Sequence, residues 1–229
     1  MTPLISLFVT VAGYSFALLL QKRFNVGNYI PPTTIAMAFV IVYLQAFDVA
    51  YVEYIKDVDF INTLLGTATV ALAIPLYHQV ANIRRSTRAI LLTIVAGCLI
   101  AALSAFVFAT LMGATDDIRY SIITKSVTLP IAIGIAEKVQ IEPSLAVLFV
   151  FGTGVIGSII APFIFKLFKI TDEKSIGLSL GLTCHGLGLI KAFQYGQTAV
   201  VFSAIGMSLM GVISGIVLPM LILHVLSHF

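Results

Sequence analysis

The stretch Ile118-Arg-Tyr-Ser-Ile-Ile-Thr-Lys125-Ser-Val-Thr-Leu-Pro130-Ile-Ala-Ile-Gly-Ile-Ala-Glu-Lys138-Val139 decides how this chain is folded. It is apolar enough to enter a bilayer, yet it carries a lysine near its middle and a proline five residues further on. Proline removes a backbone donor and clashes with the preceding helical turn. In hydrocarbon, backbone freed in this way survives only where protein or a water-filled cavity satisfies it. The stretch therefore either crosses the membrane as a broken helix or dips in and returns at Pro130. The choice sets the side of the membrane on which every later loop lies.

The surrounding composition puts the stretch in a membrane. Of 229 residues, 59% are hydrophobic and only 10% are Asp, Glu, Lys or Arg, and mean hydropathy is +1.08. A soluble domain carries about 25% charged residues, so a cytosolic enzyme, a secreted domain and a disordered chain are excluded. A net charge of +3, with no basic stripe interleaved with aromatics, gives no footing for nucleic acid. Cys98 and Cys184 both lie in apolar segments and form no disulfide framework or zinc spacing. Residues 1–20 lack a charged region ahead of the apolar run, and Lys22-Arg23 follow it, as at the end of a membrane helix and unlike a cleaved signal.

A bilayer core takes about 20 apolar residues of helix. Segments 3–20, 32–47, 89–112, 144–165 and 197–226 meet that demand. Three further segments are apolar but interrupted: 60–80 with Pro75, 118–139 with Pro130, and 174–194 with Gly177, Gly181, Gly186 and Gly188. Basic residues cluster at Lys22-Arg23, at Arg84, Arg85 and Arg88, and at Lys166, Lys169 and Lys174, and such clusters stay cytoplasmic. All three clusters fall inside if 118–139 is re-entrant. If it crosses, the last cluster falls outside. The charge pattern thus predicts a re-entrant 118–139, with the N-terminus, Asp48, Glu53, Asp57, Asp59, Asp116 and Asp117 outside. The two halves, 1–113 and 114–229, also align at one offset that pairs Pro32 with Pro143, Pro75 with Gly186 and Ser86 with Gln197. The expected fold is an all-α polytopic membrane protein, a single integral membrane domain built of two inverted quasi-repeats with broken or re-entrant helices, the architecture of secondary transporters.

Lys125 carries the most information among the charges. A helix starting at the acidic pair would put it about 12 Å deep, and an ammonium there costs at least ~2.5 kcal/mol unless paired or wet. It either snorkels to the interface or faces an anionic substrate, with Ser126, Thr128 and the amides freed near Pro130 beside it. His185, in Gly181-Leu-Thr-Cys-His-Gly-Leu-Gly188, can bind a carboxylate or carry a proton near neutral pH, or it can bond a neighbouring carbonyl and only pack. Lys191, near the end of the same segment, can likewise snorkel. Thr67 and Thr69, ahead of Pro75, can satisfy that proline's freed carbonyl or line a polar path. His78, His224 and His228 sit near segment ends. Gly177-Leu-Ser-Leu-Gly181 mimics a serine nucleophile elbow but has no soluble sheet to stand on. Gly152-Thr-Gly-Val-Ile-Gly157 mimics a dinucleotide fingerprint without its strand, and reads as small residues for close helix packing, as does Gly211-x-x-x-Gly215. No metal cluster or cofactor motif appears, and an enzyme is the least expected class.

Four blocks carry a family resemblance. Ala71-Leu-Ala-Ile-Pro-Leu-Tyr-His-Gln79 resembles the VALAxPLYxQ stretch of the LrgB/CidB family. Lys125-Ser-Val-Thr-Leu-Pro-Ile-Ala132 resembles its KSVTTPIA stretch, and Cys184-His-Gly-Leu-Gly188 its SHGIG stretch. Ala199-Val-Val-Phe-Ser203 is similar to a GAFS element. The blocks stand in family order and the resemblance covers essentially the whole chain. It implies a multi-pass protein of the bacterial inner (plasma) membrane, antiholin-like or a modulator of murein hydrolases, working with a smaller LrgA/CidA-type membrane protein and forming a homo-oligomer. It also implies small organic anions as cargo, since plastid relatives move glycolate and glycerate and bacterial relatives are associated with pyruvate. The residues it carries over are Lys125, Ser126, Thr128, Pro130, His185, Gly186 and Gly188, with Thr67, Thr69 and Lys191 as secondary candidates. Leu129 departs from a second threonine, Thr183-Cys184 from Ala-Ser, Leu189 from a frequent threonine and Pro31 from a frequent asparagine. These departures touch the identity of the substrate. The expectation is alternating-access passage of a small monocarboxylate of the glycolate, glycerate or pyruvate class, with a holin-like pore or lysis modulator as the alternative.

Overall fold

The computed structural model describes residues 2–24, 30–61, 64, 67, 77 and 80–226, and among them every regular element is helical. The chain forms two compact units, Met1–Ile74 and Pro75–Phe229. Most of 60–80, with Thr69, Pro75 and His78, lies outside the described residues, as does His228.

In the first unit, α1 (Pro3–Phe24) packs on α2 (Pro32–Ala46) and on the short α3 (Tyr51–Asp57). Two polar ties fix α3 to α1. The Ser6 hydroxyl donates to the Asp57 carboxylate at 2.6 Å, and the Thr10 and Tyr54 hydroxyls share a hydrogen bond of 2.7 Å.

The second unit holds α4 (Val80–Leu111), α5 (Asp116–Ser121) continued by a 3-10 turn (Ile122–Ser126), α6 (Leu129–Val139), α7 (Pro143–Leu167), α8 (Glu173–Ala192) and α9 (Gln197–Leu226). Each long helix begins where its sequence allows. Pro143 opens α7 behind Glu142, whose side chain caps the Ser144 amide, and Asp172 caps α8 through the Ser175 amide at 2.8 Å. Both carboxyls are held below their usual range, first by the serine hydroxyls they accept from.

Segment 118–139 is broken as its proline predicts. Val127 and Thr128 are extended between the 3-10 turn and α6. The descending arm is about 19 Å long and α6 about 16 Å, and neither spans a core of about 30 Å. Both arms pack on α7. The core holding Tyr120, Ile123, Val127, Ala132, Ile135 and Val139 takes Ala146 and Val150 from the first half of α7. Its second half, at Ala161 and Phe165, packs instead with Ile176, Leu180, Cys184 and Ala192 of α8. Two arms lying beside the same half of one helix belong to a segment that enters and returns.

Among the described residues, five helices are long and apolar enough to cross a membrane: Pro3–Phe24, Thr87–Leu111, Pro143–Leu167, Glu173–Tyr195 and Gln197–His224. The fourth does not run straight. His185 sits at φ 50° and ψ −124° inside α8. A Cβ on Gly188 would stand 2.0 Å from the Leu180 carbonyl oxygen, although eight residues of straight helix cover about 12 Å. A Cβ on Gly196 would stand 2.9 Å from the Glu173 carboxylate. The arm after His185 thus runs back beside the arm before it, and 173–195 is a second helical hairpin with its tip at His185. Its first arm lies parallel to α9 with backbones touching, for a Cβ on Gly177 or Gly181 would meet the Ala199 or Ser203 carbonyl at 2.1 or 2.0 Å.

The two hairpins occupy opposite halves of α7 and point toward each other. Gly154 and Gly157, at the middle of α7, admit the second tip: a Cβ on Gly157 would stand 2.6 Å from Cys184 Sγ. Gly154 and Gly157 of the 152–157 run serve helix packing, as the sequence suggests, while Gly152 meets nothing; Gly211 faces Ile131.

Candidate functional site

The site lies where the hairpin tips meet. Lys125 is the penultimate residue of the 3-10 turn, at the bottom of the first hairpin, and Pro130 starts the returning helix. The side chain is half-buried, and Nζ donates to Ser126 Oγ at 3.0 Å. Its electrostatic neighbours are Cys184 and His185 at the second tip. Among the described residues no carboxylate lies against it.

His185 faces Lys125 across the junction. Its ring lies against the Ser126 backbone carbonyl, and its Nε2 is buried without a hydrogen-bond partner. Its positive φ with ψ near −124° is backbone that favours glycine. Holding a histidine there costs roughly 1–3 kcal/mol, which surrounding structure must over-determine. Cys184 Sγ is in contact with the Thr183 hydroxyl at 3.3 Å, and the thiol is 1% exposed.

The structure brings Lys125 and Ser126 of one tip against His185 of the other; Thr128 and Pro130 follow the first tip, and Gly186 and Gly188 the second, with Gly188 packed on Leu180 of its own hairpin. Ser126 is buried, Thr128 half-buried, and Pro130 and Gly186 are exposed. Thr128 is the N-cap residue of α6 but makes no side-chain cap bond. Lys191 is 7% exposed on the returning arm, enclosed by protein where the sequence also allowed it to reach the interface. Thr67 belongs to the first unit, is exposed, and donates to the Leu64 carbonyl at 2.8 Å. Two buried hydroxyls of the second unit, Ser121 in the first hairpin and Ser203 on α9, lack hydrogen-bond partners, and the sequence reading names neither as a site residue. Nothing in their local sequence separates them from serines that pack. Among the described residues no group of three or more His, Cys, Asp or Glu could hold a metal ion.

Two opposed helical hairpins beside long apolar helices define a polytopic membrane protein. The chain belongs to the LrgB-like family, whose model matches residues 10–224. It is 36% identical to the uncharacterized protein YxaC of Bacillus subtilis, over 96% of this chain and 95% of that protein. It is 33% identical to an uncharacterized protein of Haemophilus influenzae (93% and 91%), and 29% identical to the holin-like protein CidB of Staphylococcus aureus (96% and 96%). No solved structure matches. The chain is thus a multi-pass bacterial membrane protein of a family with holin-like members.

Proposed function

We propose that the chain carries a small monocarboxylate across the membrane by alternating access, with the anion held between the two tips. The observation that carries this reading is the Lys125 ammonium, against which no carboxylate lies among the described residues, facing His185, whose Nε2 has no hydrogen-bond partner. The carboxylate would take Lys125 as its charge partner, with Ser126 and Thr128 as hydrogen-bond donors. His185 would bind the anion or hold a coupled proton. Backbone at the two breaks is the kind that membrane proteins tolerate only beside protein or a wet cavity, and discontinuous helices from the two faces are what midplane carriers use. A relation between halves 1–113 and 114–229 belongs to the same proposal.

The test is exchange in proteoliposomes that hold the purified chain. They are loaded with unlabelled glycolate, glycerate or pyruvate, and entry of the labelled acid is followed. Saturable counterflow in the wild type, lost in Lys125→Met, is the expected result. A charge-assisted contact contributes roughly 1.5–3 kcal/mol, so Lys125→Met should weaken binding by about 10-fold or more. Full exchange by a folded Lys125→Met protein would remove Lys125 from the site.

The holin-like name of the CidB relatives favours a second reading, a holin-like passage, and the sequence resemblance adds to it a modulator of murein hydrolases and lysis working with a smaller LrgA/CidA-type membrane protein. A pore leaks dyes and does not saturate, whereas a carrier saturates and shows counterflow. The same vesicles, with and without the smaller partner, therefore separate the two readings.

A further inference from the structure

Among the described residues, a Cβ on Gly157 of α7 would meet two atoms beyond its own stretch of helix, and both belong to Cys184. It would stand 2.6 Å from Cys184 Sγ but 3.9 Å from Cys184 Cβ, which is ordinary van der Waals contact. The sulfur alone therefore fills the place of the missing side chain. One turn away, a Cβ on Gly154 would stand 3.1 Å from Leu187 Cδ1 and 3.4 Å from the Cys184 carbonyl oxygen. Helix α7 thus grips the second tip on both sides of His185, at Cys184 before it and at Leu187 after it. The grip accounts for a histidine kept at φ 50°, a conformation that persists only where its surroundings impose it. The Cys184 sulfur turns on a single torsion, and the residue is 1% exposed in the core with Leu180 and Ala192. In a close-packed core it has little room to turn away from a methyl group at position 157.

We propose that Cys184 is a positioning residue: its sulfur, seated in the notch of Gly157, holds the tip of the second hairpin so that the His185 ring stays on the Ser126 carbonyl of the first. Cys184 acts through its neighbour, and the pair is matched by volume. A methyl group at position 157 with the sulfur kept pushes the tip off α7. The same methyl group with the sulfur removed restores the contact, at 3.9 Å. The assignment stands on packing and goes beyond the carrier reading, on which it does not depend. Under that reading it sets how closely His185 faces Lys125, the two groups placed around the anion.

The test is carbethoxylation of His185 by diethyl pyrocarbonate in the purified full chain in detergent, with each modified histidine identified by mass spectrometry. In the wild type His185 is buried and should react far more slowly than the exposed His224. Gly157→Ala should speed its modification relative to His224 by about 10-fold or more, because lifting the tip relieves the overpacking. Adding Cys184→Ala to Gly157→Ala should bring the rate back toward the wild type. Two substitutions that merely weaken the fold would add, whereas a matched pair compensates. Gly152→Ala, on the same helix with nothing within 4 Å of its Cβ, should match the wild type. If Gly157→Ala does not fold, a folded double variant with slow His185 supports the pairing, and a double variant that also fails to fold overturns it. Unchanged His185 reactivity in Gly157→Ala, or a double variant as reactive as Gly157→Ala, would overturn the proposal. So would a wild-type His185 that reacts as fast as His224. Absence of counterflow in the wild type would remove the carrier reading and leave this assignment standing.

Discussion

Gly188 is pressed against the backbone of Leu180, so closely that a Cβ would stand 2.0 Å from the Leu180 carbonyl oxygen. This contact closes the second hairpin and places His185 at its tip. Gly188→Ala should therefore spread the arms. An overpacked site costs typically 1–3 kcal/mol and occasionally more. A backbone carbonyl cannot rotate aside as a side chain can, so at least ~3 kcal/mol is expected here. Gly152→Ala is the matched control, because a Cβ there meets nothing within 4 Å. Denaturant unfolding in detergent should show a large loss for the first variant and none for the second. Equal stability of the two would mean that the arms are not in contact.

The two hairpins were legible in the sequence to different degrees. Pro130 marks the first break locally, and the basic clusters indicate that the segment returns. The second is marked only as a glycine-rich segment, 174–194. Its reversal point depends on a contact between residues eight apart and on glycines that meet α9, and no periodicity encodes such contacts. Lys125 and His185 were visible as ionisable residues in apolar surroundings. That they meet, through the Ser126 backbone, is a tertiary fact. Ser121 could not be found in advance, since a buried serine without a partner has the same sequence signature as one that bonds its own helix; Ser203 ends the Ala199–Ser203 block, but nothing in that block shows its hydroxyl to be unpartnered.

Labelling from each side of the membrane tests the arrangement. If both arms of 116–139 lie beside the first half of α7, then Asp116→Cys and Lys138→Cys should both react with an impermeant maleimide from one face. Lys169→Cys and Lys174→Cys should react from the other. The native cysteines are each 1% exposed and give little background. Labelling of positions 116 and 138 from opposite faces would show a crossing segment.

Asp172 gives a pH-dependent prediction at the base of the second hairpin. Its carboxylate accepts from the Ser175 hydroxyl at 2.7 Å and from the Ser175 amide at 2.8 Å, which lowers its pKa in the folded protein. A group with a depressed folded pKa contributes fully above its unfolded value, and that contribution fades as pH falls through the folded one. Loss of an N-cap costs about 0.5–2 kcal/mol. Asp172→Ala should accordingly be less stable than wild type by that amount at neutral pH. The gap should narrow once the medium is more acidic than the ordinary aspartate range. A gap that does not change with pH would mean that the carboxylate charge plays no part in the cap.

In the first unit, Ser6 is fully buried and its hydroxyl donates to Asp57, which ties α1 to α3. Ser6→Ala leaves the carboxylate without that donor, and an unmet partner of this kind costs roughly 1–3 kcal/mol. Asp57→Ala removes the acceptor and strands the Ser6 hydroxyl, which costs less because a neutral group is easier to leave unpaired. The double variant removes both partners, so it should be more stable than the sum of the single effects predicts. A double-mutant cycle measures that difference, expected at about 0.5–3 kcal/mol for residues in contact. Strict additivity would show that the two side chains do not interact, and the tie between α1 and α3 would then fall to the hydrogen bond between Thr10 and Tyr54.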